Sequence, residues 1–471
     1  MTHVSAVVCL AYGLVLASWA AFARFAAPAV IRAGYEGRSV SFLNRLLQGK
    51  RHPPAHYLDL WSSFSVAVGL GIVVHLVLVL LILLRPGAIG GKGRLGLVLF
   101  ATGFLILTVL SGPRHDYVAF LEIWEAVRRG GDPWSVSPRF GYSLNAYGPL
   151  FNGLAPLSWV NPLAPKLLFA LAYLIHAITF IASGSDGRGP SRRAVGWMLG
   201  PFFWVEIAYF GHFDVLVALA CVSAVRSQLR GRDVRAGLAL AVGILWKYIP
   251  LTILPVLAAG GRRVRWRLAA SAGLAVALGI VVSALVWGPS VFRPIGFATS
   301  RGSSLASIFR FLRGTYSPLR LLFEAPNLDP FNTPVLAVGV LVVFFLCRRL
   351  RARADTAAVA TILTTLLLYR VGFLQYQVLV FLLLIDWLDR HEPSGRGRTL
   401  LTGAVDVYFG WLTVFNVVYA CAGGVIHPGD PLEWLDETSG LVSFLLGLVL
   451  LLALLNSART GEETATAASG P

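Results

Sequence analysis

The sequence predicts an all-α polytopic membrane protein of about 12 transmembrane helices, with one re-entrant broken helix and an interfacial helix after an early span. Three observations carry that expectation. Of 471 residues, 56% are hydrophobic and only 13% charged, and the mean hydropathy is +0.71, more apolar surface than a soluble domain of this length can bury. The apolar residues are gathered in runs, many of them near the ~20 residues that one crossing needs. Most of the Arg residues behind the net charge of +17 fall in short clusters between those runs, the pattern of positive-inside loops and not of a nucleic-acid surface. Cys9, Cys221, Cys347 and Cys421 stand singly with no metal-ligand spacing, so no metal and no cofactor are expected.

Residues 4–22 read as a retained first helix, because no Lys or Arg precedes the apolar run. A basic stretch, 24–60, leads to spans near 63–84 and 95–111. Residues 112–150 follow as a loop. In it Tyr117, Phe120, Leu121, Trp124 and Val127 recur at helical spacing, with Glu122, Glu125, Arg128 and Arg129 opposite, until Gly130-Gly131 ends the helix. Such a helix lies in the membrane interface, its apolar face on lipid or neighbouring helices. Further apolar segments run to 456. The loops around Arg192, Arg232, Arg265, Arg351 and Arg396 are short and basic, and are placed in the cytoplasm; 112–150, 288–330 and 423–438, with Asp430, face outward.

One segment resists alternation. Residues 236–259 carry four Arg before them and four after, yet are too short for two crossings, and Trp246-Lys247-Tyr248-Ile249-Pro250 lies in the middle. Proline breaks the helix there, so a re-entrant pair with Lys247 near its turn is expected. Likewise, Gly372-Phe373-Leu374-Gln375-Tyr376-Gln377 divides 359–388 into two short helices. From Arg459 the Ala/Thr/Gly/Ser-rich tail is expected to be disordered.

Asp116 opens the interfacial helix, where capping alone would account for it. Its neighbours suggest more: His115, the Asp132-Pro133-Trp134 turn, and Tyr142, Tyr147 and Phe151 frame a carboxylate that can take a proton from a sugar hydroxyl while rings stack on sugar faces. Glu206, Tyr209, Gly211, His212 and Asp214 form a second group, either a functional path or structural ion pairs. Lys247 either snorkels to the surface or holds a phosphate from within a cavity. Arg293, Arg301, Arg310, Arg313 and Arg320 on a loop placed outside need compensation, from a phosphate headgroup or from anionic lipid.

Taken in order, the Asp after an early span, Gly130-Gly131-Asp132-Pro133-Trp134, Tyr147-Gly148-Pro149-Leu150, Gly211-His212-Phe213-Asp214 and Trp246-Lys247-Tyr248-Ile249-Pro250 resemble the GT-C superfamily of polytopic glycosyltransferases. Within it the likeness is to bacterial polyprenyl-phosphate-mannose-dependent mannosyltransferases and to the mannosyltransferase of the GPI-anchor pathway, over roughly 95–390. The resemblance implies inverting transfer of a sugar from a polyprenyl-phosphate donor to a lipid-linked or glycan acceptor on the outer side of the bacterial cytoplasmic membrane. Asp116 then matches the catalytic base, Asp214 and Lys247 recurrent Gly-x-x-Asp and Lys-x-x-Pro elements, and Gln375 and Tyr376 a late polar turn. Two departures stand out: Trp134 where Tyr is common, and the added spans of 1–94.

The expected organisation is therefore an N-terminal transmembrane region 1–94, a catalytic membrane core 95–390, C-terminal helices 391–457 and a tail 458–471. Asp116 supplies the base; Lys247, Arg301, Arg310 and Arg313 bind the donor phosphate; His115, Tyr147, His212, Asp214, Gln375 and Tyr376 bind substrate or support the site. A rival reading is a transporter or lipid flippase with Glu206, Asp214 and Lys247 as its coupling site. Convergence of these residues with Asp116 favours the enzyme; separation favours the transporter.

Overall fold

The computed structural model describes residues 91–113, 116–135, 145–183, 190–260, 264–294, 296, 303–320, 329–391, 396–421 and 433–468. The spans and basic stretch expected before residue 91, together with His115, Tyr142, Arg301 and Asp430, lie outside them. Among the described residues the regular structure is helical except for one pair of two-residue strands, as the apolar runs require. It comprises α1 (Gly91–Leu110), α2 (Asp116–Arg128), α3 (Ala164–Ser183), α4 (Arg192–Met198), α5 (Asp214–Leu229), α6 (Asp233–Trp246), α7 (Leu254–Ala259) and α8 (Trp266–Trp287). There follow α9 (Ile308–Arg313), α10 (Asp329–Arg349), α11 (Ala354–Leu368), α12 (Gln377–Arg390), α13 (Arg396–Cys421) and α14 (Glu433–Ala468).

Five helices among the described residues are long and apolar enough to cross a membrane: Ala164–Ala182, Trp266–Phe292, Asn332–Arg349, Leu400–Val417 and Trp434–Ala458. That is fewer than the run-by-run estimate of about 12. Two of the expected spans lie before residue 91, and several further apolar helices, α11 and α12 among them, are shorter than such a crossing and are covered by protein. In α11 every residue from Asp355 to Leu367 is buried, and in α12 every residue from Gln377 to Leu388. By contrast α8 presents Leu274, Leu278 and Leu285 outward, the last 82% exposed, as a lipid-facing helix must. Hydropathy alone does not distinguish burial in protein from burial in lipid. At the C-terminus, α14 carries helix on to Ala468, through most of the segment expected to be a disordered tail.

The 236–259 segment is broken where proline predicts. α6 stops at Trp246, Lys247 takes extended backbone (φ −158°, ψ 133°), and a 3-10 turn over Ile249–Ile253 leads into α7. Outbound, α6 rises about 21 Å; the 3-10 turn and α7 return about 19 Å. Arg265 Nη1 then meets Asp233 Oδ1 at 2.9 Å, so the two ends of the excursion touch. α8 starts from that point and runs parallel to α6: Gly237 packs against Leu268 and Ser271, and further along Gly279 receives Leu245.

At the end of the bundle where α5 and α12 finish, Arg226 and Arg390 both pair with Asp386, and Arg390 also lies 3.4 Å from Asp355. Arg193 pairs with Asp406. The basic clusters thus gather at that end. Asp214 and Gln377, which open α5 and α12, are about 18–20 Å away along the helix axes.

The α11–α12 connection folds as the Gly372–Gln377 interruption suggests. Ser304 and Leu305 (β1) pair in parallel with Val371 and Gly372 (β2). A Cβ on Gly372 would lie 2.3 Å from Ser307 N, so only glycine admits the strand.

Candidate active site

α2 presents Tyr117, Phe120, Ile123 and Trp124 inward. Its apolar face therefore rests on protein: Phe120 meets Phe151 and Phe213 edge-on at 5.0 and 5.7 Å, and Trp124 Nε1 donates to Phe151 O. The helix ends as Gly130 (φ 74°) turns left-handed. Outward, Arg128 donates to Glu125 and holds its carboxyl down at about 2. Burial pushes the Tyr117 phenol up; its hydroxyl donates to Pro162 O at 2.6 Å.

The Asp132-Pro133-Trp134 turn closes on itself, with Trp134 N donating to Asp132 Oδ1, and the buried indole donates to Tyr147 O at 3.0 Å. That bond delivers Tyr147-Gly148 to the broken end of α6. Gly148 N donates to Trp246 O, and a Cβ on Gly148 would stand 2.2 Å from Leu245 O.

Asp116 begins α2, where the helix dipole favours its carboxylate. Gln375 Nε2 donates to its Oδ2 at 3.4 Å, and His212 Nε2 lies 3.9 Å from the same oxygen. His212 Nδ1 in turn is 2.6 Å from Glu206 Oε2. Lys247 Nζ donates to Asp214 Oδ1 at 2.5 Å and lies 3.9 Å from the centre of the Tyr376 ring, 5.4 Å from that of Phe213 and 5.6 Å from that of Tyr147. The adjacent pair Gln375-Tyr376 thus links the carboxylate to the ammonium. An ammonium carries three donors, one of which Asp214 takes, and the rings stabilise the remaining charge from the side.

The anticipated Tyr147, His212, Asp214, Lys247, Gln375 and Tyr376 therefore stand with Asp116 in one cluster. Arg310 lies 3.3 Å from Asp436 and 3.5 Å from Glu437, so acidic residues of α14 supply at least part of the compensation that its loop requires. Arg313 closes α9. Among the described residues no cluster of His, Cys, Asp and Glu is arranged to hold a metal.

Residues 146–376 match the model of glycosyltransferase family 87. The chain is a membrane glycosyltransferase. No curated protein and no solved structure matches it. The matched segment of the enzyme contains Tyr147, His212, Asp214, Lys247, Gln375 and Tyr376 and stops short of Asp116, whose place beside them is a product of the fold. The transporter reading is not favoured: its trio of Glu206, Asp214 and Lys247 is joined to Asp116 through His212 and through Tyr376-Gln375.

One functional support gave no signal in the sequence. Lys166 is completely buried, and its Nζ donates to Ser111 Oγ, Gly112 O and Tyr209 O, each at 2.7 Å. It ties Ser111 and Gly112, just past α1 and four to five residues before Asp116, to Tyr209, three residues before His212. Gly211 (φ 79°) admits its stem, which approaches a Cβ position there to 2.9 Å. In sequence Lys166 looks like a helix-end lysine of α3; only the pairing of distant segments reveals its partners.

Proposed function

We propose that the enzyme transfers a hexose, mannose in the first instance, from a polyprenyl-phosphate sugar to a lipid-linked or glycan acceptor on the outer side of the cytoplasmic membrane. Asp116 takes the proton from the acceptor hydroxyl. The acceptor oxygen attacks the anomeric carbon with inversion, and the bonding pair leaves with the lipid phosphate, itself a competent leaving group. Lys247 meets the charge that develops on that phosphate, and Arg301, Arg310 and Arg313 of the 288–330 loop are the further cations assigned to it. Gln375 orients Asp116, while Tyr147, Tyr376 and Asp214 hold Lys247.

The observation that carries this reading is the proximity of Asp116 to the Lys247–Asp214 pair through Gln375-Tyr376. A base and a cation in one cluster are what transfer from a phosphate donor requires. The sidedness rests on the basic clusters, which collect at the end of the bundle away from Asp214.

The test is Asp116→Asn, assayed with polyprenyl-phosphate mannose in membranes at equal expression. Asn caps a helix about as well as Asp but accepts no proton at neutral pH. Turnover is expected to fall ~100-fold to 10,000-fold, the range for loss of a positioned base. Wild-type turnover would remove Asp116 from the mechanism.

A further inference from the structure

Behind Asp116 stands a second carboxylate and an imidazole that the proposed transfer step does not use. Glu206 is buried within a π-helical turn, Trp204–Phe210, a form that is rare and frequently found at functional sites. Gly211 ends the turn in the left-handed region, and His212 N donates to Glu206 O at 2.9 Å. The backbone thereby folds His212 onto the carboxylate six residues earlier, and Phe210 stacks on the ring at 5.4 Å.

The hydrogen-bond logic then fixes the imidazole. A carboxylate is an acceptor, so Nδ1 carries the proton that Glu206 receives at 2.6 Å. In the neutral ring Nε2 is then a bare acceptor. It is buried, makes no hydrogen bond among the described residues, and faces Asp116 Oδ2 at 3.9 Å. Two acceptors face each other there, and only a proton arriving between them completes the contact. Other ionisable groups nearby are Lys166, whose stem lies against Gly211, and Tyr419, within electrostatic reach of both Asp116 and Glu206.

We infer that Glu206 and His212 form a proton relay behind Asp116: the proton that Asp116 takes from the acceptor hydroxyl passes to His212 Nε2, and the resulting imidazolium is held between the two carboxylates. This rests on Asp116 being the base. The acceptor oxygen–hydrogen bond breaks, an Nε2–H bond forms, Asp116 is left ionised, and the proton returns to water after product leaves. His212 touches no substrate in this scheme; it acts through Asp116, much as a third group orients and stabilises the base in hydrolytic triads.

The experiment measures kcat, KM and the pH profile for mannose transfer from polyprenyl-phosphate mannose with His212→Gln, Glu206→Gln, Asp116→Asn and Asp116→Asn/His212→Gln. For His212→Gln we expect kcat to fall by roughly 10-fold to 100-fold with donor KM unchanged, and the acid limb of kcat to move because the group that receives the proton from Asp116 is gone. Glu206→Gln keeps an acceptor for Nδ1 and the side-chain volume, so it tests the relay even where His212→Gln folds poorly; its kcat should also fall. The double variant should be no slower than Asp116→Asn alone, since residues that act as a unit are not additive. Wild-type kcat in Glu206→Gln, an unmoved acid limb in a folded His212→Gln, or additive losses overturn the relay while leaving an inactive Asp116→Asn to uphold the base. Full activity in Asp116→Asn overturns both.

Discussion

Tyr376 lays its ring 3.9 Å from Lys247 Nζ, on the side chain that Asp214 also holds. Lys247 and Asp214 are both almost fully buried, so each charge depends on the other for its stability in the fold. Removing one partner leaves an uncompensated buried charge, which costs about 3–5 kcal/mol. Asp214→Asn and Lys247→Met alone are expected to lower Tm in detergent more than Asp214→Asn/Lys247→Met together. All three should lose transfer activity. Equal and additive Tm losses would show that the two side chains are not coupled.

Lys166→Met keeps the length of the side chain and deletes its three donors. The oxygens of Ser111, Gly112 and Tyr209 then each lose a charged donor, at about 1–3 kcal/mol for a buried hydrogen bond to a charged group. The variant should melt well below the wild type and lose turnover, because the segments carrying Asp116 and His212 are no longer tied together. An unchanged Tm and turnover would count against a staple at this position.

Gly148 sits where no side chain fits, against the carbonyl of Leu245 at the broken end of α6. Its backbone is ordinary (φ −75°), so close approach and not conformation demands glycine. Gly148→Ala should cost about 1–3 kcal/mol through overpacking and reduce transfer by displacing Lys247. A thermal melt and an activity assay on the same preparation check both parts; a silent substitution would show that α6 can retreat.

His391, just beyond α12, should make stability pH-dependent. Burial lowers its pKa from the usual 6.5, and nearby Asp355 only partly opposes that. The unfolded chain therefore binds the proton first. The contribution of a neutral His391 is complete above the unfolded value and is lost as pH falls from about 6.5 through the lowered folded value. His391→Gln should flatten the fall of Tm between about pH 7 and 5. A parallel fall in both proteins would assign that slope to other groups.

By itself the sequence determined the class of molecule and its punctuation. Apolar runs far beyond what a soluble core can hold made a helical membrane protein unavoidable, and Pro250 and Gly372 placed the two helix breaks, because neither residue can continue a helix without penalty. Gly130 marked the end of α2 for the same local reason. The Asp, Lys and aromatic residues of the site were legible as candidates since ionisable groups beside apolar runs are rare.

Tertiary structure decided which apolar helices face outward and which are buried, because α11 and α12 have the composition of spans and are wrapped by other helices, whereas α8 is largely exposed. It also decided partners. Asp116 and Gln375 are 259 residues apart, and Lys166 reaches Ser111 and Tyr209 across 55 and 43; no local period encodes such pairings. Arg310 illustrates the same limit, since its carboxylate neighbours Asp436 and Glu437 arrive from the start of α14. Local chemistry fixes where a chain turns, but which charges neutralise one another is settled only when distant helices pack.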